Sequence, residues 1–173
     1  MNESNQNIER RLARHPFLQG LEERHINVLA QSAIPTHFDK GQLIFRAGEP
    51  ANGFYLIESG VVALEGSVLE HGPVTTDTVG PGEPLGWSWL FPPYLWHFDA
   101  RAVEPTVAIC LAGIALREHR DQDPGLSHEL FRRTCAVMAR RLQAARRKLM
   151  AARIAAPILS PQLVGVKDGI PAM

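Results

Sequence analysis

Hydrophobic positions take three successive spacings along the chain, and each marks a different kind of segment. In the first 34 residues Ile8 and Leu12 stand four apart, and Leu21, His25, Val28 and Leu29 resume a helical stripe after an interruption. A residue before proline is driven to extended geometry, so His15-Pro16 predicts a break near His15 between two short helices. From Phe38 to Leu111 the texture becomes short β-branched and apolar runs, such as QLIFRAGEP, GFYLIESGVVALEG and RAVEPTVAICL. Gly and Pro punctuate them about every 8 to 12 residues, the mark of an all-β sandwich or barrel. Within this stretch Phe54 to Ile57, a turn at Glu58-Ser59-Gly60, and Val61 to Leu64 read as a β-hairpin.

The third texture starts near Pro124. Ser127 as N-cap with Glu129 in the first turn predicts a helix running to Arg153 or Ala156, with Pro157 stopping it. Phe131, Cys135, Met138, Leu142, Ala145, Leu149 and Ala152 alternate spacings of four and three, a coiled-coil seam of three heptads. With Cys135, Leu142 and Leu149 at a, Arg141 and Lys148 fall at g and Arg146 and Arg153 at e. In a parallel homodimer Arg141 then faces Arg146 and Lys148 faces Arg153, so the seam favours pairing while its edges oppose it. The expected organisation is an N-terminal helical segment (1–34), a β-roll (35–120), a long dimerisation helix (124–156) and a loose tail (157–173).

The 173 residues carry 18 Lys+Arg and 18 Asp+Glu, but the zero net charge hides a separation. Residues 1–119 hold 8 basic and 14 acidic side chains, a balance of −6, and residues 120–173 hold 10 and 4, a balance of +6. The C-terminal segment is a basic appendage on an acidic body. No apolar run approaches the roughly 18 residues of a membrane span, and the polar start MNESNQNIERR is not a secretion signal, so a cytoplasmic protein without membrane contact is expected. Cys110 and Cys135 are too few for a disulfide scaffold and read as buried thiols in a reducing compartment.

Spaced residues from Lys40 to Cys110 carry a family resemblance. Lys40-Gly41-Gln42, Ile44, Gly48, Ala51, Tyr55, Ile57 and Gly60 are followed by Val79, Pro81, Gly82 and Gly86, and then by Ala100 and Ala102 before Ala108-Ile109-Cys110. The pattern resembles the cyclic-nucleotide-binding domains of the Crp/Fnr (catabolite activator) family over roughly residues 16 to 153. The resemblance implies a mainly β fold with flanking helices: a double-stranded β-helix, or jelly roll, that holds a small ligand and is followed by a long C-terminal dimerisation helix. It also implies a helix-turn-helix domain after that helix, for which the last 17 residues leave no room, so a stand-alone sensor is expected.

Two departures decide the functional expectation. The family places a Glu for the ribose after the glycine equivalent to Gly86, and an Arg-Ser/Thr-Ala run for the cyclic phosphate further on. Here Trp87 follows Gly86 and the run is Phe98-Asp99-Ala100. A bound anion needs a fixed cation or clustered donors, and Phe98 and Asp99 offer neither; His97 and Arg101 are the nearby groups that a register shift could bring to bear. Ordinary cyclic AMP or GMP binding is not expected.

Between residues 87 and 98, Trp87, Trp89, Phe91, Tyr94, Trp96 and Phe98 supply 6 of the 12 aromatics of the chain. These rings either plug the old pocket or line one retuned for a flat, apolar ligand, oriented by Ser88, His97, Asp99 or Arg101. The candidate ligand-binding residues are therefore Gly86, Trp87, Ser88, Trp89, His97, Phe98, Asp99, Ala100 and Arg101. The candidate dimer interface is Phe131, Cys135, Met138, Leu142, Ala145 and Leu149. A third use of the rings is a partner-binding face, with Pro92-Pro93 pushing some of them outward.

Other chemistry is thinly represented. No two of the seven histidines are two apart, as a cupin-like metal enzyme requires, although His37 and His71 could meet across strands. A haem sensor using His97 or Cys110 lacks a spaced ligating pair. There is no GxGxxG, Walker loop or GxSxG, so neither cofactor nor catalysis is expected. The expected function is a non-enzymatic ligand sensor and regulatory module, a homodimer acting on an unknown protein partner. The alternatives are a transcription regulator touching DNA or another factor through the Arg-rich helix, and a cupin-like metal enzyme.

Overall fold

A computed structural model describes residues 3–68 and 72–155. Contacts within the chain divide it into two units, 1–134 and 135–173. The N-terminal pattern forms two helices, α1 (Glu3–Arg14) and α2 (Glu23–Ala30), with the expected break at His15. Ile8 and Leu12 of α1 and Ile26 and Leu29 of α2 are buried, which is what the helical spacing of apolar residues is for.

The β region holds eight strands: β1 (Ala33–Phe38), β2 (Leu43–Phe45), β3 (Gly53–Ser59), β4 (Val62–Val68), β5 (Gly72–Val79), β6 (Pro84–Leu85), β7 (Asp99–Ala102) and β8 (Thr106–Ala112). They form two four-stranded antiparallel sheets, in the orders β1-β8-β3-β6 and β2-β7-β4-β5. Phe38, Phe45, Ile57, Val62, Leu64, Val79, Leu85, Trp96, Ala100, Ala102 and Ala108 make the buried cluster of the roll. This is the jelly roll that the resemblance implies.

The hairpin expected around Gly60 does not form. β3 and β4 belong to different sheets, so the chain turns a corner at Gly60 and crosses the roll. Gly60 has φ +87, and a Cβ there would come within 2.5 Å of the Pro105 carbonyl oxygen and the Thr106 hydroxyl. Close approach of the β7–β8 connection, as much as the positive φ, requires glycine there. The hairpin partner of β4 is β5, which pairs with it from Val62↔Val79 to Val68↔Gly72.

Two polar anchors fasten the N-terminal segment to the roll. The pairing of β3 with β8 slips between Ile57 and Ser59, and the extra residue, Glu58, takes a two-pronged ion pair from Arg11. Beside it, buried His15 lies with Nε2 3.0 Å from the Ile57 carbonyl oxygen and Nδ1 3.3 Å from the Phe17 amide nitrogen.

After β8 comes a helix that the sequence reading had included in the roll, α3 (Gly113–Gln122). The long helix, α4, spans Pro124–Ala155, within the expected limits. Its cap is not Ser127. Asp123 Oδ1 accepts hydrogen bonds from the amides of Gly125 (2.9 Å) and Leu126 (3.0 Å), which is the work of an N-cap side chain. Those amides hold the Asp123 carboxyl below its usual range, Leu126 first. Glu129 receives Arg132 and Arg133, whose hydrogen bonds bring its carboxyl down to about 2. Arg133 also donates to the carbonyls of Phe17 and Gln19, at 2.8 and 2.9 Å. The tail expected at 157–173 and His71 lie outside the described residues.

Candidate functional site

The segment that joins β6 to β7 crosses from one sheet to the other. It opens with Gly86 at φ +89, makes a single 3-10 turn at Trp87–Leu90, and returns through residues 91–98. Backbone bonds pin the return to the turn before β3. The Ala51 amide donates to the Tyr94 carbonyl, the Gly48 amide to that of Trp96, and the Trp96 amide to that of Glu49, at 2.7 to 2.9 Å.

The six rings of this segment separate by environment. Trp96 is buried in the roll cluster and stacks on Phe45, with centroids 3.8 Å apart and planes 11° apart. Tyr55 packs beside Phe45 at 6.1 Å. A Cβ on Gly86 would lie 2.7 Å from the Trp96 ring, so that glycine is fitted to this tryptophan. Trp89 is buried against Phe54, with a centroid distance of 5.8 Å, and its indole N–H has no protein acceptor. Phe98 is 41% exposed, Trp87 and Phe91 are half-buried, and Tyr94, also half-buried, lies 4.8 Å beneath the Arg117 guanidinium.

The polar candidates separate in the same way. Buried Ser88 places its hydroxyl 3.1 Å from Nδ1 of exposed His97. In β7 the side chains alternate, so Ala100 and Ala102 are buried while Asp99 and Arg101 are not. Asp99 Oδ1 accepts from the Ala47 amide at 2.7 Å, and Arg101 donates to Glu65 at 3.1 Å and to the Gly41 carbonyl at 3.0 Å. The Arg101 guanidinium is thus engaged by Glu65 and Gly41 on the outward side of β7. Among the described residues, no Arg, Lys, Asp or Glu is buried.

Sequence reasoning left Phe45, Tyr55 and Cys110 out of the candidate ligand-binding residues. Phe45 and Tyr55 share the inner cluster with Trp96, and Tyr55 stands opposite Cys110 in the pairing of β3 with β8. Burial pushes both the Tyr55 phenol and the Cys110 thiol up. The places of Phe45 in β2 and Tyr55 in β3 were the available signal. Of the two thiols expected to be buried, Cys110 is half-buried and Cys135 is exposed on α4. Phe131, Leu142 and Leu149 of the seam are also exposed, at 48, 55 and 60%. Met138 is intermediate and Ala145 exposed. Among the described residues no three metal-ligating side chains cluster, so nothing there answers to a cupin-type centre.

Residues 35–123 match the cyclic nucleotide-binding domain family. A CRP-like cAMP-activated global transcriptional regulator of Mycobacterium tuberculosis is 30% identical over 132 residues, 76% of this chain and 57% of the regulator. The chain thus spans little more than half the length of that relative. A solved protein of Geobacter metallireducens of the cyclic nucleotide-binding type superposes with a TM-score of 0.70 at 28% identity, over 78% of this chain and 97% of the other. The catabolite activator protein of Thermus thermophilus gives 0.61 at 27%, over 80% and 63%. Fold and connecting segment define a regulatory jelly roll of the cyclic-nucleotide-binding type. The chain belongs to the cyclic nucleotide-binding domain family, and within it to the Crp/Fnr type.

Proposed function

We propose that this domain is a regulatory module whose roll interior no longer grips a cyclic nucleotide, and that it acts through protein contacts made by α4. The observation that carries the reading is Trp96 lying flat on Phe45 in the inner cluster, while Arg101 is held on the other side of β7 by Glu65 and Gly41. A cyclic phosphate needs a positive partner in place of its water, and the inner cluster presents rings and aliphatic side chains instead. With Trp87 following Gly86, the carboxylate that the family directs at the ribose is also replaced by an apolar ring.

The module is not itself a catalyst; it works in the cytoplasm as a homodimer, with occupancy beside residues 86–101 changing what α4 presents. Calorimetric titration with cyclic AMP and cyclic GMP tests the central point. The expected result is no saturable heat in the micromolar range, and a micromolar dissociation constant overturns the reading.

A second reading, contact with DNA, is favoured by the likeness to a transcriptional regulator of M. tuberculosis and by the exposed Arg140, Arg146, Arg147 and Arg153 of α4. A basic helix alone gives phosphate attraction without base readout. Gel shift on random DNA at two salt concentrations separates the readings: absence of binding even at low salt disfavours DNA.

A further inference from the structure

We propose that the groove where the 3-10 turn meets the start of α4, outside the roll, binds a small amphipathic anion, an aryl or acyl carboxylate. The inference rests on the reading above that rings fill the roll interior, and it moves the sensing site to the outer side of the same segment. The groove is open to solvent, has a volume of about 470 Å³, and is lined by Leu90, Phe91, Arg120, Pro124, Ser127, His128 and Phe131. That volume is in the range of small-molecule sites, and the lining has their usual make-up of apolar walls with a few convergent polar groups.

Phe91 and Phe131 meet edge to face, with centroids 6.3 Å apart and planes at 68°. Phe91 is half-buried and Phe131 about half exposed in the single chain, so ring surface remains for an apolar body to cover, in competition with pairing of the seam that Phe131 opens. The polar lining is the Arg120 guanidinium, the His128 imidazole and the Ser127 hydroxyl. Arg120 donates to Asp121 at 2.9 Å. Asp121 is 67% exposed, and an exposed pair of this kind contributes little and yields to a better-placed carboxylate.

The other acids nearby are committed. Asp123 caps α4 and faces His25 and Arg24, at 3.2 and 3.7 Å, and Glu129 is taken by Arg132 and Arg133. The groove therefore offers a guanidinium beside stacking surface, which suits a carboxylate on a flat or apolar body better than a neutral molecule. Because Phe91 belongs to the segment leaving the 3-10 turn and Phe131 opens the seam of α4, a ligand there touches both parts that a signal must join.

Amide-resolved NMR titration of the full chain with phenylacetate, and in parallel with the neutral phenylacetamide, tests the site. Phenylacetate is expected to give saturable shifts at Phe91, Ser127, His128 and Phe131 with a dissociation constant of about 1 mM or tighter. Phenylacetamide is expected to bind about tenfold more weakly, as loss of a charge-assisted bond dictates. Arg120→Gln is expected to lower phenylacetate to the level of the amide while leaving the thermal midpoint within a degree or so. The proposal is overturned by equal affinity for the two probes, by no saturable shift, or by shifts confined to Phe45 and Trp96. Shifts that follow protein concentration rather than ligand also overturn it, since they report self-association. Cyclic nucleotide binding in the calorimetric experiment, with a positive result here, would sink the proposed function and leave this site standing.

Discussion

His15 joins two elements through opposite edges of one imidazole ring. Its Nε2 donates to the Ile57 carbonyl, which leaves Nδ1 to accept from the Phe17 amide, and that arrangement requires the neutral ring. Burial lowers its pKa first of all, outweighing the Ile57 bond and the Glu58 charge that act in the opposite direction. Below the ordinary imidazole value of about 6.5 the unfolded chain takes up a proton that the folded chain resists. The contribution of His15 to stability is therefore full above that pH and is lost progressively as the pH falls from there toward the lower folded value. Urea midpoints from pH 7.5 to 5 should decline, and His15→Gln should flatten that part of the decline; an unchanged slope in the variant removes the assignment. The residue scale is also where the sequence was least informative about the candidate site. It announced a run of aromatics but not that Trp96 turns inward while Phe98, two positions on, stays partly in solvent. The segment is not a strand, so alternation does not apply; the inward direction of Trp96 is fixed by backbone bonds to Gly48 and Glu49.

At the level of elements, the cap of α4 is a point where α2 and the long helix converge. Asp123→Ala removes the acceptor of two helix-start amides together with the carboxylate facing buried His25. It should lower the thermal midpoint by a few degrees, and Asp123→Asn, which keeps an oxygen at the same place, should recover most of it. Equal losses in the two variants would assign the effect to the charge rather than the cap. The strands were legible from their glycine and proline punctuation, and α4 from its apolar spacing. Sheet membership was not, because a short glycine turn can close a hairpin or send the chain to the facing sheet, and the choice at Gly60 is settled by Pro105 and Thr106, more than forty residues away. α3 was missed because GIALREHRDQ opens on glycine and buries Leu116 as its one large apolar residue.

On the scale of the whole molecule, the order of helices, roll and long helix follows from three successive periodicities, which is why the architecture was readable without any contact being known. A homodimer through the seam is the corresponding prediction. Each exposed repulsion between g and e cations costs only tenths of a kcal/mol and is screened by salt, whereas covering the three-heptad seam contributes roughly several kcal/mol. Sedimentation should show a dimer whose dissociation constant falls as NaCl is raised, and Leu142→Arg should convert it to monomer. A monomer independent of concentration would remove the claim.

The placement of Trp89 and Trp96 makes the protein its own optical reporter. With two of its three indoles sealed among apolar side chains, the native chain should emit at short wavelength and resist acrylamide, and any event that loosens the 86–98 segment should announce itself as a red shift without a label.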